Sequence, residues 1–169
     1  MKRLFLVAAA ALAVAGCKSA YRWTSDVPQS MRTICVPTFR NESDTTELAA
    51  LASVQLLREF QREGTFKIAS HEDAAVEVQG VIKSSIAKSN GGYRRIQDRL
   101  FDNTATMIAE VSVVDRVNGR VLVDNKRYTA TTSFTSGQDD FLTAQRSASG
   151  RLADDLARQV VDDVLAVQW

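Results

Sequence analysis

The chain has 169 residues, with 21 Lys and Arg against 20 Asp and Glu and a formal charge of +1. A balance this close excludes a global field that would recruit nucleic acid, so any basic patch must be local. One histidine and two cysteines offer too few ligands for a metal centre, and neither a metal nor a cofactor is expected.

The N-terminus opens Met1-Lys2-Arg3, runs apolar from Leu4 to Ala15 and turns polar after Gly16-Cys17. That apolar run falls well short of the ~20 residues needed to span a bilayer. A basic start, a short apolar stretch and a small-residue ending are the layout of a secretory signal, here residues 1–16. Val14-Ala15-Gly16-Cys17 resembles the lipobox of bacterial lipoproteins. The resemblance implies that the Cys17 thiol takes a diacylglyceryl group, that the chain is cut before it, and that the new amino terminus is acylated, with palmitate-type chains. One buried acyl chain anchors only reversibly, whereas two or three hold a protein at the membrane. Lys18 replaces the Asp that retains many enterobacterial lipoproteins at the inner membrane, which favours the outer membrane. Residues 17–30, with Tyr21, Trp23 and Pro28, read as a short lipidated linker, and residues 31–169 as one domain.

Within the domain, Met31 to Phe39 is β-branched and aromatic and forms a first strand that ends or lies at an edge near Pro37. Residues 40–46 form a polar loop in which Asp44 or Thr46 can cap a helix. Leu48, Ala52, Leu56 and Phe60 then recur every four residues, predicting an amphipathic helix over 47–63 stopped by Gly64. Residues 65–69 make a short strand with Phe66 and Ile68 on one face. Residues 74–88 alternate Val76, Val78, Gly80 and Ile82 as a further strand. Residues 89–99 read as a hairpin tip turned by Asn90, Gly91 and Gly92.

A strand over 103–115 points Ala105, Met107, Ala109, Val111 and Val113 one way and Thr104, Thr106, Glu110 and Ser112 the other. Asn118-Gly119 turns it into a Thr-rich return strand over 121–134. The last helix covers 139–167 on a stripe of Leu152, Leu156, Val160 and Val164, with Gly150 as a place to kink. The order β-α-β-β-β-β-α predicts an α+β two-layer sandwich: a mixed or antiparallel sheet of about four to five strands with two helices on one face.

In this order and spacing the chain resembles the LptE family of lipopolysaccharide-assembly lipoproteins. The likeness rests on Pro28, then Ile34, Pro37, Phe39 and Asn41 in the first strand, and Leu56, Arg58 and Phe60 in the helix. The stretch 76–89, the Asn-Gly hairpin and the closing helix with Trp169 also fit. The resemblance implies a non-enzymatic outer-membrane lipoprotein that plugs the lumen of the large β-barrel LptD, helps it assemble and assists insertion of lipopolysaccharide into the outer leaflet.

Lys83, Lys88, Arg94, Arg95 and Arg99 gather around the predicted tip beside Tyr93 and a single acid, Asp98. Arginine forks hold phosphate through paired hydrogen bonds. Arg94 and Arg95 are the first candidates for lipopolysaccharide or partner contact, followed by Lys88 and Arg99, with Tyr93 alongside. A contact on the barrel or a merely soluble tip remain alternative readings of the same residues. For the whole protein, the rival reading is a periplasmic lipoprotein adaptor of another envelope machine, a cell-wall synthase activator or a secretion-pore component. The paired acids Asp139-Asp140, Asp154-Asp155 and Asp162-Asp163 lie in or beside the last helix and read as hydrated helix face, not as catalytic pairs. Cys35 reads as a small buried residue and His71 as a solvated loop residue, with no Cys–His or Ser–His pair that has an evident orienting partner.

Overall fold

The structure, a computed structural model, describes residues 27–94, 99–137 and 140–169. A 3-10 turn at Gln29–Met31 leads into β1 (Thr33–Cys35) and β2 (Arg40–Asn41), followed by α1 (Leu48–Glu63) and β3 (Lys67–Ile68). Three long strands come next, β4 (Val76–Arg94), β5 (Arg99–Asp115) and β6 (Arg120–Ser136), and α2 (Phe141–Ala166) closes the chain. They form one six-stranded sheet in the order β3-β1-β4-β5-β6, with β2 also against β4. The β1, β2 and β3 pairings are parallel; β4-β5-β6 is an antiparallel meander. The α+β sandwich with a mixed sheet is therefore as expected.

The sixth strand arises at Pro37. Lacking an N–H, proline interrupts the ladder, so the first strand splits and pairs with β4 twice, at Val76–Glu77 and again at Val81–Ile82. Between the two pieces the Phe39 N–H turns away and donates to Ser53 Oγ on α1 at 2.8 Å, and that hydroxyl donates onward to the Ala49 carbonyl at 2.9 Å. The Phe39 ring lies on Gly80 so closely that a Cβ there would come within 2.3 Å of it. Asn41 then gathers the loop: its amide donates to the Thr45 and Thr46 carbonyls, and its Oδ1 accepts from the Ser43 N–H and hydroxyl.

The inner sheet face and both helices share one core. Leu48, Ala52, Leu56 and Phe60 of α1 and Leu152, Leu156, Val160 and Val164 of α2 are all buried, the stripes expected from their spacing. Gly64 ends α1 at φ 85°, its N–H bonded to the Phe60 carbonyl. Asp44 and Thr46 do not cap α1: Glu47 holds the N-cap position without a side-chain hydrogen bond. Gly150 does not break α2, which runs through it as one helix.

On β5 the predicted inward set, Ala105 to Val113, is buried and the threonines face away. Phe66 and Ile68 are not alike. Phe66 is buried against Phe60 and Trp169, whereas Ile68 is exposed, because β3 is a two-residue edge strand. The hairpin reading of residues 90–92 is also corrected. Gly91 pairs with Asp102 and Gly92 with Phe101, and the ladder continues to Arg94 opposite Arg99. Asn90 sits at a register shift within the ladder instead of turning the chain. A strand tolerates glycine when its partner supplies the hydrogen bonds, so Asn-Gly-Gly here marks a bulge.

Candidate interaction surface

The sheet face opposite the helices carries no covering element among the described residues. Its makeup follows from period-two alternation along three long strands in register. Ile86, Thr106 and Thr131 form one cross-strand row, Lys88, Thr104 and Ser133 another, and Ser84, Ile108 and Thr129 a third. The Thr106 and Thr131 hydroxyls are 3.3 Å apart, and Asn90 donates to the Thr104 hydroxyl at 2.7 Å. Ile86 reaches this face because a register shift at Lys83 reverses the parity of β4, so that Ile82 points inward and Ile86 outward at 49% exposure. The surface is broad, rich in hydroxyls and nearly neutral. Two unpaired edges flank it among the described residues: the whole of β6, and β4 beyond Ile82, where β2 ends.

The predicted basic cluster is spread along the β4–β5 hairpin. Lys83 leaves the set: it pairs with Glu42 at 2.5 Å and lies 4.0 Å from Glu110. Its ammonium holds the Glu42 carboxyl below the usual range, and Glu42 raises Lys83 in turn. Lys83 and Arg94 are eleven positions apart on one strand, roughly 35 Å at about 3.3 Å per residue. Lys88 is exposed midway along, on the open face. Tyr93 and Arg94 close β4, and Arg99 opens β5 as the register partner of Arg94. Arg95 lies outside the described residues, as do Asp98 and Cys17.

The opposite hairpin is closed by Asp115. Its buried carboxylate accepts from the Asn118 N–H at 2.9 Å, the Asn118 amide at 2.8 Å and the Arg120 guanidinium at 3.3 Å. Burial pushes this carboxyl up, but the Asn118 and Arg120 bonds outweigh it and leave it below its ordinary value. On the inner face, Tyr128 donates to Asp163 Oδ2 at 2.7 Å, and Lys126 pairs with the same oxygen. Burial raises Asp163, yet Lys126 and Tyr128 together bring it below normal. Burial and the Asp163 hydrogen bond raise the Tyr128 phenol strongly.

One grouping was not foreseen. The fold brings His71 Nδ1 to 4.0 Å from Cys35 Sγ and 3.6 Å from Glu77 Oε2. His71 is exposed, as expected, and Cys35 is buried, as expected. Burial raises the Cys35 thiol and Glu77 adds to it, so the thiol holds its proton. Spacing did not reveal the group, because its members lie 36 and 6 positions apart and are brought together by the parallel pairing of β1 with both β3 and β4.

No curated protein matches the sequence. Among solved structures, the fold is similar to that of CT253 from Chlamydia trachomatis, at 12% identity over 79% of this chain and 95% of that one, with a TM-score of 0.50. Weaker likenesses are a minor lipoprotein from Acinetobacter baumannii (14% identity, 82% and 94% coverage, TM-score 0.43) and XCC0632 from Xanthomonas campestris (12%, 83% and 89%, TM-score 0.48). The sequence profile of the LptE lipopolysaccharide-assembly family matches residues 31–166, nearly the whole domain. This chain belongs to the LptE lipopolysaccharide-assembly family.

Proposed function

We propose that this protein is a lipid-anchored outer-membrane lipoprotein that fits inside, or against, an LptD-like β-barrel and assists insertion of lipopolysaccharide, without catalysing a reaction. The family match across the domain carries this reading. The open sheet face supports it. Barrel interiors are polar, and the rows of Thr, Ser and Lys offer a polar, hydrogen-bonding surface of matching character. No helix among the described residues is long and apolar enough to cross a membrane. The anchor is Cys17, alkylated before residues 1–16 are removed and then acylated at the new amino terminus. Lys88, Tyr93, Arg94 and Arg99, strung along the hairpin, together with Arg95, are the residues proposed to meet lipopolysaccharide phosphates or the barrel wall.

Purification of the native protein in detergent, followed by mass spectrometry, tests both parts. An LptD-like barrel should co-purify, and the N-terminal peptide should begin at a triacylated Cys17. A peptidoglycan synthase or a secretin recovered in place of the barrel would replace this reading with the adaptor one.

A further inference from the structure

We infer that Cys35, His71 and Glu77 form a binding site for a borderline-soft divalent metal, with zinc as the reference ion. The three residues come from three segments: the end of β1, the connection between β3 and β4, and the second residue of β4. Cys35 and Glu77 are direct register partners in the parallel β1–β4 pair, so their side chains share one sheet face. One donor atom from each of the three residues lies within 4.8 Å of the others.

The arrangement differs from a catalytic relay. In a relay, one imidazole nitrogen faces the nucleophile and the other faces the orienting carboxylate. Here the same nitrogen, Nδ1, faces both the Cys35 sulfur and the Glu77 oxygen. Three donors that converge on a point ask for a cation at that point. With Zn–S near 2.3 Å and Zn–N and Zn–O near 2.1 Å, tetrahedral angles require S···N of about 3.6 Å and N···O of about 3.4 Å. The observed separations are 4.0 and 3.6 Å, so those two close by only a few tenths of an ångström.

The surroundings hold the donors in place. Ala69 and Ala75, at either end of the His71 connection, donate to the Ile34 and Thr33 carbonyls of β1. Within it, Ser70 donates to the Asp73 carboxylate at 2.7 Å. Gln79 donates to Glu77 Oε1 at 3.0 Å and Arg116 lies 3.4 Å from Oε2, an outer layer that orients a ligating carboxylate. A carboxylate oxygen has two acceptor sites, so Oε2 can keep Arg116 and take the cation. Cys35 and Glu77 are buried whereas His71 is open to solvent, which leaves a fourth position for water beside a cavity of about 500 Å³. Thiolate with imidazole selects zinc-like ions over calcium or magnesium. Binding forms the S–metal bond and passes the thiol proton to the buffer. The bound ion would clamp β1, the connection and β4 together at the edge of the sheet.

The test uses the full chain purified in detergent and stripped with a chelator. Titration with zinc sulfate should show one ion per chain and a raised melting temperature. Cobalt(II) should give a thiolate-to-metal absorption that is lost in Cys35→Ser. His71→Ala, at an exposed position that leaves the core intact, should weaken zinc binding at least tenfold with unchanged circular dichroism. Absence of binding, or binding that His71→Ala leaves unaltered, overturns the site; the latter would place the metal elsewhere on the chain.

Discussion

The contact between Phe39 and Gly80 is the sharpest test of how β1 and β2 are fastened to the long strands. In Gly80→Ala the new methyl would meet three Phe39 ring atoms, Cε2, Cδ2 and Cζ, at 2.3 to 2.5 Å, where no Cβ can stay. The ring has little room to yield. It is 4% exposed, and its own backbone N–H is fixed to Ser53 on α1. Overpacking of this kind costs about 1–3 kcal/mol. Against that, replacing glycine in a strand interior returns roughly 0.5–1 kcal/mol. Taken from the middle of each range the net loss is about 1 kcal/mol, which for a domain of this size lowers the melting temperature by roughly 2–4 °C.

Urea unfolding followed by circular dichroism measures the loss, and a double-mutant cycle assigns it. Phe39→Ala alone costs about 3–5 kcal/mol, but in that background Gly80→Ala should become neutral or stabilising, because nothing remains for the methyl to strike. The reasoning fails if Gly80→Ala costs the same with and without the ring.

Three further outcomes are expected. Asp115→Ala removes the carboxylate that holds the β5–β6 turn and should lower stability by about 1.5–3 kcal/mol in denaturant unfolding. Asp115 and Asp163 are both held below the ordinary carboxylate value, so the stability they contribute is present above about pH 4 and lost as pH falls through their native values. The urea midpoint should drop below pH 4, less steeply in Asp163→Asn. Tyr128 is raised, so its contribution persists through neutral pH and fades above about pH 10, and phenolate absorbance should show it titrating after a free tyrosine. Arg94→Glu with Arg95→Glu should weaken lipopolysaccharide binding by the purified protein at least about tenfold; unchanged binding removes the direct contact and leaves the barrel-docking role standing.

Several of these features could be read before any coordinates. Ile34, Phe39, Leu56 and Phe60, the apolar members of the family-like pattern, are core residues. Pro37 breaks a ladder, and Asn41 organises a loop. The motif that carries the resemblance is therefore architectural, which is why it pointed to a fold before it pointed to a contact surface. Long strands with strict alternation were legible, because side-chain direction reverses at every residue whatever lies beyond the strand. The β4–β5 tip was misplaced, because Asn-Gly-Gly serves a turn or a bulge equally well and only the pairing partner decides between them.

The helices, the long strands, their apolar faces and the sandwich they form were legible in the chain, because each depends on residues within a few positions of one another. Which polar groups meet depends on how those elements assemble. Lys83 is drawn out of the basic cluster by Glu42, 41 positions away. Ile86 is turned outward by a shift of register. Cys35, His71 and Glu77 meet because β1 runs parallel to both β3 and β4. A parallel pairing joins segments through a long crossover, and local spacing carries no record of where that crossover brings the chain back.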